Sequence, residues 1–321
     1  MKPLVKKMRG TAKWLLVLSL CFALCGTLLI LPINVFAGDI SNGILSLTVQ
    51  DDPQDTAYGA FMLKKANDGQ ETLTYAKFFS SYTTVSINGV SYRFSEGEVV
   101  TPAYATSSNE VIAVQSFGGV QVTQRLALTT GNSEKEDMLL IHYSTENKTD
   151  ADVLLSIRVL IDPTLAKSES HMVQINGVPY DKEKTFTGVE VADNWCIKDD
   201  SNAIVAYGIL NGEGGKPDQF QIADWTHLYD RKSGYQTDSN SEIKDNAVAI
   251  IWKNKQLPSG ESMDFSTKYG LYSEDPTDDS ADEDIPKTGY ELRAAAPVIL
   301  FALSGVCLVA FVAVNRKRRG N

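Results

Sequence analysis

Short segments of alternating apolar and polar residues, separated by turn residues, fill the middle of the chain from Gly38 to about Tyr272. Residues 82–87 and 90–94 alternate in this way, and Asn88-Gly89 joins them. Two such segments separated by Asn-Gly predict a hairpin with a type I′ turn, because both turn residues need a positive φ. No segment in this region has the periodicity of a convincing helix. The pattern therefore favours a fold built from antiparallel strands.

Further segments extend this interpretation. Asn176-Gly177 and Asn211-Gly212 repeat the turn chemistry, and the continuous apolar run 247–252 predicts a strand that is buried on both faces. We expect an all-β fold over residues 38–272, an antiparallel β-sandwich large enough to be the two-sheet supersandwich type seen in sugar-mutarotase-like domains. The other predicted strands are Ile44–Val49, Val111–Phe117, Val120–Leu128, Met138–Tyr143, Val153–Ile161, Ala203–Leu210 and Met263–Leu271.

The N-terminus has the pattern of a secretory signal. Residues 1–13 contain five basic residues and no acidic one, and an apolar run follows from Trp14 to Leu31. A basic start before an apolar segment is typical of exported chains. Small residues lie where a signal peptidase reads, so we predict a signal helix at 1–37 and cleavage between Ala37 and Gly38. Because the apolar run is long, an uncleaved N-terminal anchor is the alternative.

The C-terminus has the pattern of a membrane anchor. Residues 294–314 form a stretch of 21 residues without a charge, and four of the next five residues, 315–319, are basic. About 20 apolar residues cross a bilayer as a helix, and basic residues keep their end in the cytoplasm. We therefore predict a transmembrane helix at 294–314 and a cytoplasmic tail at 315–321.

A short motif precedes this predicted span: Ile285, Pro286, Lys287, Thr288 and Gly289. Together with the span and the basic tail, it resembles the LPXTG-type cell-wall sorting signal of Gram-positive surface proteins. The resemblance implies that a sortase breaks the bond between Thr288 and Gly289 and transfers Thr288 to an amine of peptidoglycan or of a pilus subunit. Ile285 stands where that family usually has Leu, which leaves the class of sortase open.

The residues around the motif suit this role. Pro286 favours an extended backbone before it, and Gly289 has no side chain to obstruct attack on the preceding carbonyl. Residues 273–284 include seven acidic side chains. These repel one another, so we predict an acidic, extended spacer between the β-sandwich and the motif.

Several segments between Ile40 and Tyr272 resemble an uncharacterised β-sandwich module of exported bacterial proteins. The resemblance implies the same fold, and that module carries no catalytic motif to transfer to this chain. The matching segments are 81–85 with Asn88-Gly89, 122–126, 158–162, 245–252, 258–261 and 269–271.

The histidines, His142, His171 and His227, are far apart in the sequence and form no metal-binding or catalytic motif. We therefore expect no metal, no cofactor and no enzymatic activity. His227 is the one weak candidate for sugar chemistry. The Asp-rich segments 51–55 and 199–202 lack the spacing of a calcium loop, so we interpret them as solvated turns.

Aromatic residues provide a candidate binding site. Trp225, Tyr229 and Tyr235 lie in a polar segment, where their rings are candidates for stacking on sugar faces. Packing in the core is the favoured alternative for Trp225, and we expect Trp195 and Trp252 to be core residues.

Charge excludes one class of partner. The formal charge of the whole chain is −10. Residues 1–37 contribute five positive charges and residues 289–321 a net four, so the predicted mature chain carries −19. Nucleic-acid binding needs clustered Lys and Arg, which this region lacks. Cys196 is the only cysteine of this region, so no disulfide forms within it.

These patterns together predict a cell-wall-anchored surface protein of a Gram-positive bacterium, which reaches the wall through a membrane-inserted precursor. Its role would be to display the β-sandwich for adhesion or envelope interaction. A carbohydrate-binding surface module is the alternative, and a glycan-active enzyme is less favoured. The expected partners are sortase, signal peptidase and peptidoglycan or pilus subunits, with glycans as a further candidate.

Overall fold

The computed structural model describes residues 38–66, 72–75, 80–131, 133–165, 172–198, 204–229, 232 and 234–272. Within these ranges nearly all regular structure is β, apart from one short helix, α1 (Trp225–Leu228), and two 3-10 turns, Phe94–Glu96 and Gly188–Glu190. The strands are β1 (Asp39–Ser41), β2 (Leu45–Val49), β3 (Phe61–Lys65), β4 (Tyr82–Ile87), β5 (Val90–Arg93), β6 (Glu98–Ala105), β7 (Glu110–Phe117), β8 (Val120–Thr129), β9 (Met138–Asn147), β10 (Val153–Ile161), β11 (Val173–Ile175), β12 (Val178–Tyr180), β13 (Lys184–Thr187), β14 (Asn194–Lys198), β15 (Ile204–Ile209), β16 (Gln219–Asp224), β17 (Asn246–Leu257) and β18 (Ser262–Leu271).

These strands form three sheets. A six-stranded sheet has the order β13-β16-β17-β10-β4-β5, a nine-stranded sheet the order β12-β11-β14-β15-β18-β9-β8-β7-β6, and a small sheet the order β1-β2-β3. Neighbouring strands in all three sheets pair antiparallel. The predicted all-β, antiparallel class is therefore confirmed. None of the helices in the described ranges is long and apolar enough to span a membrane, and the predicted helices at 1–37 and 294–314 lie outside those ranges.

The main hydrophobic core lies between the two large sheets. One continuous cluster of buried side chains includes Val159 and Ile250 from the six-stranded sheet and Ile141 from the nine-stranded sheet. The rings of Trp252 and Phe265 meet across the interface, with centroids 5.7 Å apart. The two sheets therefore share a single core, as a β-sandwich requires.

Strand β17 confirms the prediction of a strand that is buried on both faces. Val248 and Ile250 point into the main core, and Ala247, Ala249 and Ile251 pack in a second apolar cluster on the opposite face of the six-stranded sheet. We call that opposite face the outer face of the sheet. Apolar residues on both faces explain the continuous apolar run in the sequence.

Two of the three Asn-Gly predictions are confirmed. Asn88 and Gly89 have φ values of 50° and 84° between β4 and β5, and Asn176-Gly177 joins β11 to β12 in the same way, with 52° and 78°. The hairpin at Asn211-Gly212 is wrong, because neither residue has a positive φ and the chain passes there from β15 in one large sheet to β16 in the other. A Cβ on Gly212 would lie 2.4 Å from the Ser266 carbonyl oxygen, so glycine permits a close approach of the backbone instead.

Candidate functional site

A groove of about 620 Å³ crosses the outer face of the six-stranded sheet. Its floor includes Thr84 from β4, Arg158 from β10 and Gln221 from β16. Successive side chains of a strand point to opposite faces, so the burial of Ile157 and Val159 in the main core turns Arg158 outward. The same alternation along β4 and β16 turns Thr84 and Gln221 toward the groove while their neighbours Val85 and Phe220 pack in the main core.

The floor contains polar atoms that have no hydrogen-bond partner in the protein. Thr84, Arg158 and Gln221 are 1%, 3% and 2% exposed. Among their polar atoms, Thr84 Oγ1, Arg158 Nε and Nη1, and Gln221 Oε1 have no partner. A buried polar group left unpaired costs about 1–3 kcal/mol, and folded proteins contain few of them. Their concentration beneath one groove identifies the groove as the first candidate site.

Arg158 is a buried cation at the centre of this floor. Its Nη2 donates a hydrogen bond of 2.8 Å to the Leu228 carbonyl. No carboxylate among the described residues forms an ion pair with it. Burial lowers the pKa of the guanidinium, although interaction with the Tyr82 hydroxyl acts in the opposite direction. The positive charge of Arg158 is therefore uncompensated within the described part of the chain.

One wall of the groove is a segment after α1 that hydrogen bonds fix to the sheet. Gln221 Nε2 donates to the Tyr235 carbonyl at 2.6 Å, and the hydroxyls of Thr185 and Thr237 lie 2.9 Å apart. The Tyr235 hydroxyl donates to Glu183 Oε2 at 2.9 Å. These bonds hold the Tyr235 ring at the edge of the groove, so that wall is preorganised.

A second cleft of about 690 Å³ contains a histidine paired with a carboxylate. His227 Nδ1 lies 2.5 Å from Glu183 Oε1, and the Glu183 side chain is fully buried whereas that of His227 is 42% exposed. Because Glu183 engages Nδ1, Nε2 is the nitrogen that His227 presents to the cleft. The sequence indicated His227, but not Glu183, which lies 44 residues away and carries no local motif.

Asp224 positions this histidine by capping α1. Its Oδ1 accepts hydrogen bonds from the amide and hydroxyl of Thr226, at 3.1 and 2.6 Å, and its Oδ2 accepts from the amides of Lys244 and Asp245. Burial alone would raise the pKa of the Asp224 carboxyl, but these hydrogen bonds outweigh burial and hold the pKa below its ordinary value. The carboxylate therefore joins α1 to the segment that precedes β17.

All three predicted sugar-contact residues pack against the second apolar cluster, but only one of them lines the groove. Trp225 and Tyr229 stack with ring centroids 4.5 Å apart and pack against the second apolar cluster, outside the lining of the groove. Tyr235 lines the groove. Contact with a sugar stays a prediction for all three. Trp195 and Trp252 are buried in the main core, as predicted.

The remaining candidate residues are placed as follows. His142 Nε2 lies 2.9 Å from Glu213 and 3.4 Å from Asp264, and no sequence motif predicted these two pairings. No group of three or more side chains suited to a metal ion occurs in the described ranges. His171, residues 199–202, Ala37 and the sorting motif 285–289 lie outside those ranges, which begin at Gly38.

No known protein family and no curated protein matches the sequence. Similar solved structures include a galactose mutarotase related enzyme from Lactobacillus acidophilus (8% identity, TM-score 0.46, covering 74% of this chain and 97% of that one). A galactose mutarotase-like protein from Clostridium acetobutylicum has 13% identity and a TM-score of 0.40, with 73% and 94% covered. An aldose epimerase homologue from C. elegans has 10% identity and a TM-score of 0.37, with 74% and 98% covered.

These comparisons correct one prediction. The expectation that the chain is not an enzyme is contradicted, because the similar structures include a protein named as a mutarotase related enzyme. The expectation rested on the absence of a local histidine motif in the sequence. The sequence offered no adjacent histidine and carboxylate, whereas the fold brings His227 of α1 close to Glu183, which directly precedes β13.

Proposed function

We propose that this protein is a carbohydrate-binding surface module and that the groove on the outer face is its binding site. The unpartnered polar atoms of Thr84, Arg158 and Gln221 carry this proposal. Sugar hydroxyls both donate and accept hydrogen bonds, so one saccharide can pair with a hydroxyl, an amide oxygen and a guanidinium together. The volume of about 620 Å³ lies in the range of small-ligand sites. We further propose that the sandwich is of the supersandwich type.

Two floor variants test this proposal in the full-length chain, solubilised in detergent and applied to a glycan array. Thr84→Val and Gln221→Met remove the unpartnered oxygens at nearly constant volume. We expect each to weaken binding by about tenfold, the value of one lost hydrogen bond of about 1.4 kcal/mol. Because the Thr84 hydroxyl has no partner in the protein, the midpoint of thermal unfolding should stay equal or rise for Thr84→Val. Gln221→Met also removes the donor to the Tyr235 carbonyl, so its midpoint should fall.

Gln256→Met is the matched control, since Gln256 lies on β17 outside the groove lining and its side chain hydrogen-bonds to Asp152. It should bind as the unaltered protein does. Absence of binding to any glycan on the array, or equal binding by all three variants, would refute the assignment of the groove.

Covalent anchoring to the cell wall through Thr288 is the second part of the proposal. Its support is the order of the sorting motif, the apolar span and the basic tail in the sequence. In a Gram-positive host, Thr288→Ala should move the protein from the wall fraction to the membrane fraction, whereas Thr277→Ala in the spacer should not. In wall fragments released by a muramidase, the attached protein should have Thr288 as its last residue. Unchanged wall attachment of Thr288→Ala would contradict the proposal.

A second candidate function is general acid–base catalysis on a sugar. His227 favours it, because a buried carboxylate fixes Nδ1 and leaves Nε2 to exchange protons in the cleft. Polarimetry of freshly dissolved galactose measures the interconversion of its anomers. We expect the full-length protein to accelerate it, His227→Gln to abolish the acceleration and His142→Gln to retain it. A rate equal to that of buffer would exclude this activity.

A further inference from the structure

The groove differs in charge from the rest of the protein. Its described lining includes Arg158, Lys232 and Lys253 and no acidic residue. The predicted mature chain, by contrast, carries a net charge of −19. Lys232 is neutralised by Glu96, whose Oε2 lies 2.7 Å from Nζ. The excess positive charge therefore comes from Arg158 and Lys253.

Neither of these cations has a counter-ion among the described residues. The ion pairs of the described ranges include neither Arg158 nor Lys253. The neighbouring Asp218 carboxylate instead binds the Lys255 ammonium, at 2.9 Å, and the Lys253 backbone amide, at 2.7 Å. Lys253 is exposed, whereas Arg158 is almost fully buried. A buried charge without a counter-ion is strongly destabilising, and its field reaches further in a poorly polarisable interior than in water.

We propose that the ligand of the groove is an acidic saccharide, whose carboxylate supplies the negative charge that Arg158 and Lys253 lack. This inference rests on the proposed carbohydrate-binding function and adds the chemical class of the sugar. A carboxylate accepts charge-assisted hydrogen bonds from guanidinium and ammonium groups, which are about twice as strong as neutral ones. A neutral sugar would satisfy the hydroxyl and amide of the floor but would leave the buried charge of Arg158 uncompensated.

The test compares two probes that share one sugar backbone: a trigalacturonate and its methyl ester. Calorimetric titration into the full-length protein at low ionic strength should give a dissociation constant for the acid that is smaller by about tenfold or more. Added salt should reduce that ratio, because it screens the exposed charge of Lys253. Equal affinity for the two probes at low salt would overturn the inference.

Variants of groove residues test whether the preference for the acidic probe arises in the groove. Because Lys253 is exposed, Lys253→Gln should fold normally and lower the preference for the acid by about threefold; Arg158→Met should remove most of the rest. Lys148→Gln is the control, since it removes one positive charge from an exposed pair with Glu146 outside the groove. A preference that survives in both groove variants would also overturn the inference.

The two proposals fail in different ways. If neither probe binds and the glycan array shows no binding, the carbohydrate-binding function itself is wrong. If both probes bind equally and Thr84→Val weakens both, the groove is a sugar site and only the acidic class is wrong.

Discussion

Tyr143 shows how one residue joins the two large sheets. It lies on β9, is fully buried, and its hydroxyl hydrogen-bonds to Thr83 of β4 and, at 3.0 Å, to Gln124 of β8. Burial raises the pKa of Tyr143 to about 12, although the two hydrogen bonds act in the opposite direction. A polar bond inside an apolar core favours the observed facing of the two sheets, because a different facing would separate the Tyr143 hydroxyl from Thr83.

Removing this hydroxyl should destabilise the protein. Tyr143→Phe leaves the buried Thr83 hydroxyl without its partner and removes one of the two acceptors of Gln124 Nε2, whose other acceptor is the Gly59 carbonyl. We therefore expect a loss of about 1–3 kcal/mol in the free energy of unfolding. Urea unfolding at pH 7 measures it, with the exposed Tyr104→Phe as the control. Equal midpoints for Tyr143→Phe and the unaltered protein would show that the bond contributes nothing.

The same residue predicts an alkaline effect. Because the folded-state pKa of about 12 lies above the ordinary value of 10.0, the contribution of Tyr143 is complete below pH 10 and is lost as the pH rises toward 12. Unfolding free energies measured between pH 9 and 12 should therefore fall less steeply for Tyr143→Phe. Parallel curves for the two proteins would contradict this assignment.

At the scale of the element, Asp224 couples the end of β16 to α1 and to the start of β17. Because the pKa of the Asp224 carboxyl is lowered in the folded state, the carboxylate stabilises the fold at pH values above its ordinary pKa of 3.8. That contribution is lost as the pH falls through the folded-state pKa. Asp224→Asn should therefore flatten acid unfolding below about pH 4. The exposed Asp39→Asn serves as the control, and an unchanged acid profile in Asp224→Asn would count against the role of its charge.

Whether a strand could be predicted from the sequence depended on whether its side chains face the core, the solvent or the groove. β4 and β10 were predicted with the observed bounds, because apolar residues recur at alternate positions of both strands and pack in the main core. β6 was missed because it is an edge strand whose side chains are mostly exposed. β16 was missed because Gln219 and Gln221 replace apolar residues on its outer face, where they line the groove. On β16, the polar residues that line the groove therefore conceal the strand that carries them.

At the scale of the whole molecule, the main core includes residues of all three sheets. We therefore expect residues 38–272 to unfold in a single transition. Far-ultraviolet circular dichroism reports the sheets, and tryptophan fluorescence reports the core through Trp195 and Trp252. The two curves should coincide in urea; separate midpoints would show that one sheet unfolds independently.

The same scale explains why the groove was not predicted. Thr84, Arg158 and Gln221 lie on three strands that are far apart in the sequence, and no spacing rule connects them. Only the strand order places β16, β10 and β4 in one sheet. A sequence can indicate which side chains of a strand point away from the core. Which strands lie beside it, and so which side chains adjoin them, depends on the strand order of the sheet. The sequence predicts the aromatic residues as a site instead, because Trp225, Tyr229 and Tyr235 are close together along the chain.

The position of β18 has a mechanical consequence. It is the last strand before residue 273, and it lies inside the nine-stranded sheet, paired with β9 over Ser262–Gly270 and with β15 over Lys268–Leu271. If the protein is attached at its C-terminus and a ligand bound in the groove is pulled, the pulling force acts along β18. The hydrogen bonds to β9 and β15 both resist this tension, whereas an edge strand would be held by the hydrogen bonds of one neighbour only. Force spectroscopy on the tethered protein should therefore show rupture of the ligand at lower force than unfolding of the sheet.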